Sequence, residues 1–133
     1  TQLENAFGGD HAVCIFPAGL VSRKINGTIQ DLVWKKTFVT YARELDRIVV
    51  PIYIDGRLSP FFYNLHRFRK FLGVKANIEM LYLSNELFKQ RNQTIGFHVG
   101  PPIEGKKFHM ELNEYKAAQE YKKRVYAIKD KIS

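Results

Sequence analysis

His11-Ala12-Val13-Cys14-Ile15-Phe16, closed by Pro17-Ala18-Gly19, is the stretch on which the fold turns. The run is almost wholly apolar, too short for a helix, and bounded by turn formers. That pattern predicts a buried strand of the parallel kind, covered on both faces. Further on, residues 47–55 (RIVVPIYID) predict a second buried strand. Pro51 within it points to an edge position or a bulge, and Asp55-Gly56 to the turn that ends it. Between the two lie a polar loop over 22–31 and a helix over 34–46, with Phe38, Val39, Ala42 and Leu45 at helical spacing. Strand, loop, helix and strand in that order predict a βαβ unit with a right-handed crossover.

Around this unit the punctuation is clear. Residues 3–7 read as the end of a helix, stopped by Gly8-Gly9-Asp10. Ser59-Pro60 opens a helix through Phe61, Phe62, Leu65, Phe68, Phe71 and Leu72, which Gly73 ends. Another helix is predicted over 76–89 and a third strand over 94–99, ended by Gly100-Pro101-Pro102. A lysine-rich helix over 113–131 puts Tyr115, Ala118, Tyr121, Val125 and Ile128 on one face. The expectation is one α/β domain over residues 1–133, with at least three mostly parallel buried strands flanked by helices.

Hydrophobic residues make up 45% of the 133 and charged residues 26%, the balance of an ordinary globular domain. The uncharged stretches are strand-length, so none predicts a bilayer span. The chain opens on Thr1 with no basic cap and no apolar run, which predicts no signal peptide and points to a processed or partial chain. The lone Cys14 excludes an internal disulfide and a multi-cysteine metal site, and its place predicts a small apolar residue inside a strand. The net charge of +8 is uneven: residues 1–56 hold six Lys/Arg and six Asp/Glu, and residues 57–133 fifteen and seven. A basic second half suits an anionic partner: nucleic acid, a lipid surface or a phosphorylated substrate.

A buried strand ending in Pro17-Ala18-Gly19 sets the following loop at the carboxyl edge of a sheet, where α/β proteins bind ligands. Ser22 and Arg23 on that loop offer a hydroxyl and a cationic fork to an anion, although a plain turn with an exposed arginine has the same spacing. Phe16-Pro17-Ala18-Gly19 with Ser22-Arg23 resembles the FPEGTRS block of the glycerolipid (lysophospholipid, PlsC-like) acyltransferases. Residues 49–56 resemble that family's later hydrophobic strand around a proline. Asp31 and Trp34 resemble the segment between, and residues 96–103 (GFHVGPPI) the closing strand. The family's usual glutamate is Ala18 here and its usual arginine is Val21, a variant closer to the haemolysin- and ornithine-lipid-type branch.

The resemblance implies a partial glycerolipid-acyltransferase-like fold, the C-terminal portion of such a domain. It implies transfer of an acyl group from acyl-CoA or acyl carrier protein to a lysophospholipid or lyso-ornithine-type lipid. No bound cofactor or metal is implied beyond that thioester co-substrate. The acceptor site would comprise Phe16, Pro17, Gly19, Ser22, Arg23, Lys24, Asp31 and Trp34. Ser22, Arg23 and Lys24 would hold the acceptor's anionic group, and Asp31 and Trp34 would shape the pocket.

The family's base is a histidine with an aspartate five residues on, an HxxxxD motif. Here that position is Phe16 after His11, Phe71 after His66, Ile103 after His98 and Glu114 after His109. None fits, so no catalytic residue is expected in this chain, and the pair is expected upstream. Asp55, Gly56 and Arg57 offer a lesser substrate-binding candidate that reads first as a turn. His66, Arg67, Arg69 and Lys70 beside phenylalanines could lie on an anionic membrane or form the solvated face of a buried helix. The alternative to an enzyme is a basic module binding nucleic acid or a membrane surface, but the chain lacks nucleic-acid signatures and its strands read as core. Further expectations are a cytoplasmic location at the inner face of the membrane and self-association through an exposed sheet edge.

Overall fold

The computed structural model describes residues 2–76 and 78–131. In chain order the elements are α1 (Gln2–Gly8), β1 (Arg23–Ile25), β2 (Thr28–Gln30), α2 (Thr37–Glu44), β3 (Ile52–Asp55), α3 (Pro60–Phe71), α4 (Leu83–Lys89), β4 (Gly96–Val99) and α5 (Glu114–Asp130). Short 3₁₀ turns cover Ile78–Tyr82 and Gly105–Lys107. The chain divides into two compact units, residues 1–53 with 97–133, and residues 54–96.

The first unit is built on α2 and α5. Trp34, Phe38 and Val39 meet Phe108, Ala117, Ala118, Tyr121 and Val125 in one core, with Ala18, Val49, Tyr53, Ile103 and Leu112 at its edge. The apolar spacing that predicts these two helices is what closes them on each other. Asn113 caps α5 by accepting the Lys116 N–H at 2.9 Å. Arg43 ties the segment between the second 3₁₀ turn and α5 to α2, donating to the carbonyls of Phe108 at 3.0 Å, His109 at 2.6 Å and Leu112 at 3.0 Å. At Gly105 a Cβ would lie 1.8 Å from the backbone oxygen of Ala42, so only glycine lets the two segments approach.

Among the described residues the strands pair in twos rather than in a parallel sheet. β1 and β2 form an antiparallel hairpin with Arg23 opposite Gln30. Its turn is Asn26-Gly27, with φ of 48° and 85°. That dipeptide is a strong hairpin signal, and the loop reading over 22–31 passed it by. β3 and β4 are neighbours in a second two-stranded sheet. Beside it Val49 and Ile103 exchange backbone hydrogen bonds of 2.8 and 2.9 Å in an antiparallel bridge.

Residues 11–16 are not a strand: they run as irregular chain, mostly exposed, with Phe16 at 71% and Cys14 exposed. A parallel strand exists only as part of a ladder, and no described strand pairs with this one. The predicted βαβ unit is therefore absent. Nor are the other strands buried. Ile48 is 66% exposed, Phe97 64% and Val99 65%: the Tyr53 side of the β3–β4 sheet packs on the α5 core, but among the described residues no third strand or layer covers the other. The strand predicted over 47–55 is shorter than expected: Pro51 lies just before it rather than within it, and regular strand begins at Ile52.

In the second unit Ser59 caps α3, its hydroxyl accepting the Phe62 N–H at 3.3 Å with Pro60 in the first turn. The helix predicted over 76–89 is a 3₁₀ turn followed by α4, and Asn77 within it lies outside the described residues. Buried Glu86 joins α4 to the start of α3. Its carboxylate accepts the Ser59 N–H at 2.6 Å, the Ser59 hydroxyl at 2.7 Å and the Lys89 ammonium at 2.9 Å.

Candidate acceptor site

The predicted site residues fall into a braced group and an exposed group. Pro17, Ala18 and Gly19 make a tight turn, with the Gly19 N–H on the Phe16 carbonyl at 3.0 Å and Gly19 at φ 68°. The Lys35 N–H on the Pro17 carbonyl at 3.0 Å fastens this turn to the approach of α2. Asp31 is the hub of the next segment. Its Oδ1 accepts the Ser22 hydroxyl at 2.5 Å and its Oδ2 the Trp34 indole N–H at 3.0 Å. Its own N–H donates to the Tyr126 hydroxyl oxygen at 2.8 Å.

Helix α5 completes the brace. Lys122 Nζ donates to the carbonyls of Asp31 at 2.5 Å and Leu32 at 3.1 Å. Gln119 donates to the Trp34 carbonyl at 2.8 Å and accepts the Trp34 N–H at 3.3 Å. Burial pushes the Tyr126 phenol up to about 12, with the Asp31 charge adding to the rise. Burial also lowers the Lys122 ammonium, against the pull of Asp31. Sequence reasoning placed the apolar face of α5 but missed Gln119, Lys122 and Tyr126. They form the neighbouring stripe at i, i+3 and i+7, a signal that was there to read.

Ser22, Asp31 and Trp34 are thus brought together, with Trp34 at 5% exposure inside the core. Arg23 is buried at 5% in β1, whereas Lys24 beside it is exposed, as is Phe16. The structure divides the predicted set into an inner brace and an outer rim that includes Phe16 and Lys24.

The near-match of His109 and Glu114 is not a pair. His109 Nδ1 lies 2.9 Å from Glu111 Oε1, and hydrogen bonding to His109 lowers the Glu111 carboxyl. Glu114 instead accepts from Lys36 and from Thr40, each at 2.9 Å, and these bonds, that from Lys36 foremost, lower its carboxyl. An open depression of about 350 Å³ lies there, lined by Lys36, Arg43, Asn113, Glu114 and Tyr115, none of them a residue of the Pro17–Gly19 turn. Lys36 and Glu114 pair with each other there and Arg43 is taken up by backbone carbonyls, so it carries less chemistry than the braced loop.

A family model described as "Acyltransferase" matches residues 1–133, and the chain belongs to that family. It is 45% identical over 127 residues to a lyso-glycine lipid O-acyltransferase of Phocaeicola vulgatus, covering 96% of this chain and 46% of that protein. It is 44% identical over 127 residues to the protein of the same name in Bacteroides thetaiotaomicron, covering 96% and 47%. The chain spans about half the length of the curated relatives it matches. No solved structure matches it significantly. Among the described residues no helix is long and apolar enough to cross a membrane.

Proposed function

We propose that this chain carries the acceptor-binding part of an O-acyltransferase that esterifies a lyso-glycine lipid. The observation that carries the reading is the 44–45% identity to two proteins of that activity across 96% of the chain, the braced loop included. The acyl donor is a thioester of coenzyme A or acyl carrier protein. In the reaction the acceptor hydroxyl oxygen attacks the thioester carbonyl, an ester C–O bond forms, the C–S bond breaks and the thiol leaves. The hydroxyl proton passes to a base, the role a histidine–aspartate pair fills in this family.

The acceptor's chemistry agrees with the rim. A glycine headgroup that keeps its carboxylate carries a single negative charge, where a lysophospholipid carries a phosphate. One exposed ammonium, Lys24, suits that lesser charge, in keeping with Val21 at the position where the resemblance to the glycerolipid acyltransferases would put an arginine. Ser22, Asp31, Trp34 and α5 hold the loop in shape, and Phe16 and the turn it precedes meet the lipid. The protein works in the cytoplasm, at the inner face of the membrane that supplies the acceptor.

No histidine of the chain has an aspartate five residues on, so this chain alone is expected to transfer nothing. Lyso-glycine lipid dispersed in neutral detergent micelles provides the test. Binding followed by calorimetry should weaken about tenfold in Lys24→Glu. A lyso-lipid with an uncharged headgroup should bind equally to both forms. Equal affinity of the two proteins for lyso-glycine lipid would overturn the assignment of Lys24.

A further inference from the structure

We propose that residues 54–96 dock onto an anionic lipid bilayer, with Phe68, Phe71 and Leu72 entering the acyl boundary and Arg67 and Lys70 meeting lipid phosphates. The inference goes beyond acyl transfer and does not depend on which acceptor is used.

Three observations carry it. First, among its described residues this unit buries two hydrophobic side chains, Phe62 and Tyr63, and exposes eleven large ones. Phe71 is 86% exposed, Leu81 81%, Phe88 75% and Leu87 73%. An apolar surface of that extent around so small a core marks an interaction face. Second, the apolar groups on α3 are ordered. Phe61, Phe68 and Leu72 stand at i, i+7 and i+11, one stripe of a helix; exposed Phe71 and then Arg67 come next round the helix on one side of it, with exposed Lys70 beyond them. The end of the stripe is fixed, since Arg69 donates to the Val74 carbonyl at 2.8 Å and the Val74 N–H returns to the Arg69 carbonyl at 3.2 Å.

Third, charge chooses the occupant. The unit holds seven Lys/Arg and three Asp/Glu, a net +4, and one of the three acids, Glu86, is buried among Ser59 and Lys89. Two copies meeting on such a face would repel each other. A nucleic acid would use the aromatic rings for stacking, but six of the eleven exposed groups are aliphatic: Ile54, Leu72, Val74, Leu81, Leu87 and Ile95. Aliphatic and aromatic side chains rimmed by arginine and lysine match the boundary between acyl chains and anionic headgroups.

The test is co-sedimentation of the full chain with vesicles that contain no glycine lipid, so that its outcome is separable from the acyl-transfer reading. Vesicles of phosphatidylcholine with phosphatidylglycerol should pellet the protein, and phosphatidylcholine alone should leave it in solution. Phe68→Ser with Phe71→Ser should weaken partitioning about a hundredfold. Arg67→Gln with Lys70→Gln should weaken it about twentyfold. Lys123→Gln with Arg124→Gln, exposed on α5 in the other unit, should change nothing, and circular dichroism should show every variant folded. Absence of binding to anionic vesicles would overturn the proposal. So would equal losses in the α5 variant, vesicle binding that survives both α3 variants, or a loss of self-association in Phe68→Ser with Phe71→Ser without loss of lipid binding.

Discussion

Asp31 allows the brace of the acceptor loop to be tested by subtraction. Replacing it with alanine removes both acceptors at once. The Ser22 hydroxyl can turn to another partner, but the Trp34 indole N–H is donor-only and belongs to a residue 5% exposed. An orphaned donor costs about 1–3 kcal/mol, and losing the bond from Ser22 adds about 1 kcal/mol, so Asp31→Ala should cost about 2–4 kcal/mol. Asp31→Asn keeps the shape. Its carbonyl can accept from Trp34 while its amide donates to Ser22, whose oxygen has lone pairs to offer, so the cost falls to about 1 kcal/mol. For a domain of this size each kcal/mol moves the midpoint by about 4 °C, giving falls of about 8–16 °C for alanine and about 4 °C for asparagine. Trp34 is the chain's single tryptophan, so a thermal melt followed by its fluorescence reads this unit directly. Equal losses in the two variants, or no loss in Asp31→Ala, would refute the argument that Trp34 needs the acceptor.

Two further outcomes follow from the packing and the charges. Gly105→Ala should cost about 3 kcal/mol in the same melt, because the atom in the way is a backbone oxygen that cannot swing aside; a neutral result would mean the segment shifts freely. Glu86 is buried, which by itself raises its carboxyl, yet the Ser59 and Lys89 hydrogen bonds outweigh burial and lower it. A carboxyl lowered on folding stabilises above its unfolded value of 4.5 and loses that stability as pH falls through the lower folded value. Protection factors against hydrogen exchange in residues 54–96, taken relative to the unfolded chain at the same pH, should therefore fall as the solution is acidified below about pH 4.5, and Glu86→Ala should remove about 3 kcal/mol at neutral pH. Exchange in Glu86→Ala that matches the parent at neutral pH would contradict the role given to Glu86.

The sequence was legible where residues carry their own local reason. Asn113, Ser59-Pro60 and the apolar stripes of α2 and α5 act within a few residues, and these helices stand close to their predicted places. Residues 11–16 and 47–55 were misread because apolar runs state a demand for burial, while pairing and covering depend on segments far along the chain. The hairpin at Asn26-Gly27 was legible and overlooked. At the site, Ser22, Asp31 and Trp34 were picked out by their resemblance to the family, and the structure joins them. Their partners on α5 lie some 90 residues away in sequence: the stripe they form on the helix was legible, but which segment it meets was not.

The most direct test of the central claim is a lipid analysis of the source organism with the gene for this chain disrupted. Mass spectrometry of the extract should show lyso-glycine lipid accumulating and its O-acylated product lost, with recovery when the gene is restored. Unchanged glycine lipids, or a build-up of lysophospholipid in their place, would contradict the account.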